Sequence, residues 1–211
     1  MEADRQAARG CVLKMMKVAV YGVDGAGKTT LLSALESKLV KDGFTIVRNH
    51  WRPYNIKPRT ITQTDRPHEI QQAGRLKSIV KISAYFFDFF MDGLRRRFSK
   101  TDKRTIVFHE RDFYDCTFDP RRYGLSAGRD FARFLGRFLP EPECVVLLYG
   151  DAEIIQKRKN EVELGELTKS IDRLLAAKKY FNKPVLLKTT SLSLEECVDS
   201  LNEEILARIS N

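Results

Sequence analysis

A three-layer α/β domain, with a five-stranded parallel sheet and helices on both faces, is predicted by two observations. Apolar, strand-like runs alternate with helical patterns along the chain. The first of these runs passes directly into a glycine-rich turn and then into a helix. At 211 residues and 43% hydrophobic, the chain is large enough to bury one substantial core, and a single domain over residues 17–211 is the simplest organisation.

The strand-like runs are Lys17 to Gly22, Phe44 to Arg48, Thr105 to His109, Cys144 to Tyr149 and Val185 to Lys188. Helical spacing is found at Thr29 to Lys41, Ile70 to Phe98, Gly128 to Phe138, Ala152 to Lys159, Glu163 to Phe181 and Leu194 to Ile209. Gly74 and Gly93 are the positions at which the second of these would break. Within it, Ile79, Ile82, Phe86 and Phe89 follow the period of a core face, which leaves Lys81, Tyr85, Asp88 and Asp92 on another. Arg52 to Pro67 carries three prolines and reads as the most mobile loop.

The turn after the first run is the most informative segment. Residues Gly22 to Thr29, GVDGAGKT, fit the phosphate-binding pattern G-x-x-x-x-G-K-[ST] between a strand and a helix. Gly22, Gly25 and Gly27 let the backbone turn sharply and approach an anion, so that the N–H groups of Asp24 to Thr30, Ala26 included, converge at a helix N-terminus. Lys28 is placed to reach the outer phosphates of ATP, and Thr29 to put a hydroxyl on a magnesium ion bridging them. The fold expected from this is that of a P-loop nucleoside triphosphatase.

A second site element ends the third run. His109, Glu110, Arg111 and Asp112 emerge at the same sheet edge as the glycine turn, which suits phosphoryl transfer. Glu110 is a candidate to hold or position magnesium, and Arg111 to grip a phosphate with its planar fork. His109 is expected to pack against the sheet. A structural ion pair at the strand end is the alternative account of Glu110 and Arg111, and the glycine turn at the same sheet edge favours the functional one.

Together these residues resemble the thymidylate kinase family of nucleoside monophosphate kinases, in a divergent bacterial-type branch. GVDGAGKTT, Gly22 to Thr30, is similar to the family's P-loop, with an acid at Asp24. Glu110-Arg111 stands where the family has Asp-Arg, and His50-Trp51-Arg52-Pro53, Asp115 and Asp119-Pro120-Arg121-Arg122-Tyr123-Gly124 add to the likeness. The resemblance implies that Asp24 contacts the acceptor's sugar hydroxyl, and that Arg52, Arg111 and Arg122 help bind the acceptor. It also implies a lid near residues 157–166, carrying Arg158 over the transferring phosphoryl group. Thr189, Thr190 and Ser191 then fall at the adenine end, although an N-cap for the last helix explains them equally. The activity implied is ATP- and magnesium-dependent phosphoryl transfer to a nucleoside monophosphate, thymidylate first. The family's Arg-Glu-Pro is replaced by Trp51-Arg52-Pro53, and its base-binding arginine has no counterpart around Tyr85 to Phe90. A deoxynucleoside, sugar or other small-molecule acceptor stays open, as does an ATP-binding protein without efficient turnover.

Composition narrows the partners. A net charge of +9 favours anions without choosing among them. The basic stretch Arg95 to Arg104 reads as a helix C-terminus complementing the dipole, so nucleic acid is not the expected partner. Asn182-Lys183-Pro184-Val185 lacks the aspartate of a guanine-binding Asn-Lys-x-Asp motif. No apolar run reaches the roughly 20 residues of a membrane span, and Met1 to Lys14 is too polar for a secretory signal, so a cytoplasmic protein is expected. Residues 1–16 read as a flexible tail, with Met15 or Met16 as alternative starts. Cys11, Cys116, Cys144 and Cys197 have neither disulfide nor zinc spacing. A nucleotide or other small anionic acceptor is the expected partner, and a homodimer is compatible with the chain.

Overall fold

The computed structural model describes residues 15–50, 73–97, 104–159 and 162–210, excluding the side chains of residues 50, 95–97, 121 and 122. Five strands form one all-parallel sheet: β1 (Met16–Gly22), β2 (Thr45–His50), β3 (Thr105–Arg111), β4 (Cys144–Tyr149) and β5 (Val185–Lys188). Their order across the sheet is β2-β3-β1-β4-β5. The helices between them are α1 (Lys28–Lys41), α2 (Arg75–Arg97), the one-turn α3 (Asp115–Phe118), α4 (Arg129–Gly136), α5 (Ala152–Arg158), α6 (Leu164–Ala176) and α7 (Leu194–Ser210). All five expected strands are present, and the helical patterns became α1, α2 and α4 to α7.

Because both faces are covered, the inner strands read as continuous apolar runs rather than alternating ones. Val18, Val20, Phe108, Val146 and Leu148 face a core completed by Leu31, Leu35 and Leu39 of α1 and by Leu201 and Ile205 of α7. Ala19, Tyr21, Val145 and Leu147 face the opposite layer, where Phe118, Leu174 and Phe181 cover them. Beyond lies a third cluster, in which Ile82 and Tyr85 of α2 meet Phe113, Cys116, Leu125 and Ala132.

Three local expectations change. Helix α2 runs through Gly93 without a break, because a single glycine costs only about 1 kcal/mol and the helix is held by packing on the third cluster. Its inward face is not the expected one throughout: Tyr85 and Asp88 are buried, while Ile79 is exposed. Residues 115–123 form one helical turn and a 3-10 turn, Pro120–Tyr123, too short to leave a periodic signal. The loop Arg52 to Pro67 and the tail 1–14 lie outside the described residues. Among the described residues, no helix is long and apolar enough to cross a membrane.

The start of α7 is set by Ser193 and not by Thr189 to Ser191. Ser193 Oγ accepts a hydrogen bond from Glu196 N at 3.2 Å, and Glu196 Oε2 accepts one from Ser193 N at 2.7 Å. This is a reciprocal capping box. Ser193→Ala is expected to lower stability by about 1 kcal/mol; a thermal unfolding midpoint identical to the parent would show that the cap contributes nothing.

Candidate active site

The turn between β1 and α1 takes the conformation its glycines permit. Gly25 and Gly27 have φ of 84° and 86°, a region costly for residues with a Cβ. A Cβ on Gly25 would also meet Ile155 Cγ2 at 3.1 Å and Lys159 Cβ at 3.3 Å. The missing side chain therefore lets the end of α5, with Arg158 and Lys159, close down on the turn. A Cβ on Gly22 would meet the Leu148 carbonyl oxygen at 2.9 Å, so this glycine lets β1 leave the sheet beside β4.

Lys28 opens α1, and its ammonium donates to the carbonyls of Gly22 at 2.6 Å and Val23 at 2.9 Å. Those bonds hold its long chain folded over the turn. Asp24 Oδ1 stands 3.8 Å from Lys28 Nζ and also 3.8 Å from Arg111 Nη2. The Lys28, Asp24 and Arg111 side chains are 15%, 17% and 20% exposed. Solvent screening among them is accordingly weaker than on an open surface. Burial works against the Arg111 charge, but Asp115, Tyr123, Asp24 and Asp119 outweigh it and hold its pKa above the ordinary value. Arg111 is thus a fixed cation. Glu110, one residue earlier, turns to the other side of β3, where Arg48 Nη1 reaches its Oε1 at 3.4 Å and also lies against Glu36 through Nε at 2.7 Å.

Two spaces open from this centre. A groove of about 770 Å³ runs from Asp24 to Leu31 past Glu110, Arg111, Arg158 and Lys159, and ends at Thr189, Leu192, Ser193, Leu194 and Cys197. Its size lies within the roughly 300–1,000 Å³ of small-molecule sites, with the glycine turn at one end and a partly apolar wall at the other. The second space, on the far side of Lys28, is a cavity of about 40 Å³ bounded by Gly22, Asp24, Arg111, Asp115, Phe118 and Asp119, and by Leu167 and Ser170 of α6.

Most residues expected at the site therefore meet around one point. Asp24, Gly25, Ala26, Gly27, Lys28, Thr29, Thr30, Glu110, Arg111 and Arg158 all line the groove, and Gly22 lines the adjoining cavity. Arg158 Nη2 points along the groove to the Thr189 carbonyl at 3.4 Å. Arg52 and the Arg122 side chain lie outside the described residues. Lys159 belongs to the stretch expected near residues 157–166, whereas the Leu192–Leu194 wall and the α6 contribution were missed; of these, only the Ser193-x-x-Glu196 box had a sequence signal. His109 packs as expected, buried with its Nδ1 3.3 Å from Asn49 Nδ2. Cys116, Cys144 and Cys197 are free and buried.

Behind Arg111 lies a buried polar cluster. Asp112 accepts a hydrogen bond from the Tyr21 hydroxyl and, through Oδ1, one from Tyr114 N at 2.8 Å. Asp115 Oδ2 accepts one from Asp112 N at 3.0 Å. Burial, reinforced by each other's charge in the case of Asp112, pushes both carboxyls above the usual range.

The architecture can be placed among known structures. No protein-family model matches the chain, and no curated protein aligns with it significantly. Thymidylate kinase from Candida albicans, a structure described as revealing the origin of broad substrate specificity, superposes with a TM-score of 0.63 over 93% of this chain and 94% of that one. The chain has the thymidylate kinase fold. Sequence identity over that superposition is 14%, so this is a divergent version of the P-loop fold, and the likeness speaks to architecture alone.

The raised Asp112 carboxyl has a consequence for stability. An acid whose folded pKa exceeds its unfolded value of about 4 keeps its proton in the folded state, so its contribution is full below that value. It is lost as pH rises toward neutrality. Asp112→Asn is expected to flatten the decline of the unfolding midpoint between about pH 4 and 7. Parallel curves for variant and parent would contradict the assignment.

Proposed function

We propose that the protein transfers the γ-phosphoryl group of ATP to a nucleoside monophosphate, thymidylate first among them, in a magnesium-dependent reaction. The observation that carries this reading is Asp24, set 3.8 Å from both Lys28 and Arg111, between a groove of nucleotide size and a second cavity. The donor phosphates would lie against the backbone of Asp24 to Thr30, with the base toward Leu192 to Leu194.

Lys28, now bonded to loop carbonyls, supplies the cation that neutralises the outer phosphates. Arg158, with Lys159, supplies positive charge from the opposite wall. The Thr29 hydroxyl and the Glu110 carboxylate are hard oxygen donors bordering one groove, and so fit magnesium, which bridges phosphates and is bound through few protein ligands. Arg111 faces the acceptor side and stays charged at every physiological pH. An acceptor phosphate is already anionic, so positioning and charge neutralisation suffice and no base is needed. Arg52 and Arg122 are proposed as further acceptor cations on resemblance. Phosphate-linked partners, not nucleic acid or membrane, and a cytoplasmic site of action accord with this reading.

A hydroxyl acceptor, as in a deoxynucleoside or sugar kinase, is the second reading. It is favoured by the carboxylates of Asp24, Asp115 and Asp119 around the smaller cavity, any of which would serve as a general base.

Purified protein with ATP and magnesium, offered nucleoside monophosphates, nucleosides and sugar phosphates, is expected to release ADP fastest with thymidylate. Preference for a nucleoside or a sugar would select the second reading, and the absence of acceptor-dependent turnover would overturn both. Lys28→Ala should lower the rate by about 100-fold or more with circular dichroism unchanged; an unaltered rate would remove the loop from the mechanism. Arg111→Ala should reduce kcat/KM for a phosphate acceptor by about 100-fold while sparing the KM for ATP. Equal losses toward both substrates would mean that Arg111 does not select the acceptor.

A further inference from the structure

A further space, of about 350 Å³, shares only Phe118 with the cavity beside Lys28 and no residue with the groove. It lies between the end of α4 and the 3-10 turn Ala177–Tyr180 that follows α6. Its floor is aromatic. Phe118 and Phe181 are each 7% exposed, and the Phe181 ring meets Tyr114 edge-on with centroids 5.2 Å apart. The polar atoms of that floor are engaged within the protein: the Tyr114 hydroxyl donates to the Gly136 carbonyl at 2.7 Å, and the Thr117 hydroxyl to the Tyr114 carbonyl at 2.8 Å. A Cβ on Gly136 would lie 2.7 Å from Tyr114 Cε1, so the glycine ending α4 is what lets the ring reach that carbonyl.

The rim is cationic. Arg133, Arg137 and Lys179 border the pocket with a single carboxylate, Glu141, whose Oε1 accepts a hydrogen bond from Asn182 N at 2.6 Å. Arg133 Cζ and Lys179 Nζ lie 5.3 and 5.2 Å from the Tyr180 ring centroid. One aromatic side chain thus gathers cations from two separate elements. Arg133 also meets the exposed Asp130 at 2.8 Å, a pair that water weakens. Among the described residues, neither Arg137 nor Lys179 has an ion-pair partner. A concave surface lined by charge of one sign concentrates counter-ions.

We propose that this pocket is a separate site for a nucleoside phosphate. Arg133 and Arg137, about one helical turn apart, offer planar forks that match phosphate oxygens. Tyr180 and the floor take a planar ring by stacking and apolar contact. The volume lies at the lower end of small-molecule sites. An inorganic anion would leave the aromatic floor uncovered, and an uncharged ring would leave the cations unmatched. Because the floor's polar atoms are already engaged, the phosphates carry recognition and the base is read weakly.

Occupancy bears on the neighbouring cavity. Phe118 borders both spaces, and Tyr114 N donates to Asp112 Oδ1. A ligand pressed on these residues biases the placement of Asp115 and Asp119, which line the cavity side. That consequence rests on the proposed function; the binding itself does not.

Equilibrium dialysis of the full chain against ADP tests the site without reference to turnover. The parent is expected to bind two equivalents, one in the groove and one here. Arg137→Glu and Lys179→Glu, both at exposed positions, should each weaken one equivalent by about 10-fold or more and spare the other, which Lys28→Ala should weaken instead. A groove that binds nothing would fail the proposed function alone, since one equivalent sensitive to Arg137→Glu would remain. Lys41→Glu, an exposed cation at the end of α1, should keep both equivalents. ADP binding unchanged by Arg137→Glu and Lys179→Glu, or weakened equally by Lys41→Glu, would overturn the proposal. So would pyrophosphate competing at this site as tightly as ADP, which would make it a plain anion site.

Discussion

The parallel pairing of β1 with β3 is the constraint on which the candidate site depends. Their register sets Ala19 opposite His109, so three residues further β1 reaches Gly22 while β3 reaches Arg111 after two. The chain leaves both strands at the same sheet edge, and Asp24 and Arg111 meet there although they lie 87 residues apart in sequence. β4 on the other flank of β1 lets Gly22 pass close to Leu148 and brings α5 over the turn. Ligands in open parallel sheets bind beyond the carboxyl ends of the strands where the connections diverge, and here β1 lies between its connections to either side.

Electrostatics then determines what this edge can hold. Lys28 and Arg111 are largely buried cations, and a lone buried charge is costly unless paired. Asp24 lies within reach of both, and the Gly22 and Val23 carbonyls take the hydrogen bonds of the Lys28 ammonium. These partners offset the burial of the two charges and help orient them. The arrangement favours an incoming polyanion: backbone N–H groups and the α1 dipole face the groove, and the lysine can exchange neutral carbonyl partners for a charged phosphate.

Much of this was legible in the sequence because the signals are local. A strand, a glycine turn and a helix in succession need no tertiary information, and apolar runs marked all five strands. The Glu110-Arg111 pair was found because it ends one of those runs. What escaped detection depends on tertiary contacts. Tyr85 and Asp88 turn inward because α2 packs against α4 and the cluster of Phe113, Cys116, Leu125 and Ala132, and that packing is not encoded in the periodicity of α2. Since the helix is apolar on two faces, period alone could not say which was core, and Ile79 was assigned to the wrong one. The groove wall at Leu192 to Leu194 comes from a loop after β5, close to the P-loop only through the fold. The single written clue there was the capping box of Ser193 and Glu196.

The Tyr21–Asp112 contact shows why such distant groups were the least legible and yet matter to the site. Tyr21 belongs to the strand that launches the P-loop, and Asp112 directly follows Arg111. In sequence they read as an aromatic core residue and one more loop acid. Buried together, they tie the end of β1 to the backbone that carries the arginine. Asp115 accepts the Asp112 N–H and stands near Arg111, so the residue after the arginine is anchored through both its side chain and its main chain. An apolar pair of similar volume would fill the same space, since buried polar contacts contribute little net stability over good packing. It would not fix the direction in which the chain leaves β3. A hydrogen bond has an angle as well as an energy, and orientation of the Arg111 backbone relative to the P-loop is the property that the proposed phosphoryl transfer would demand.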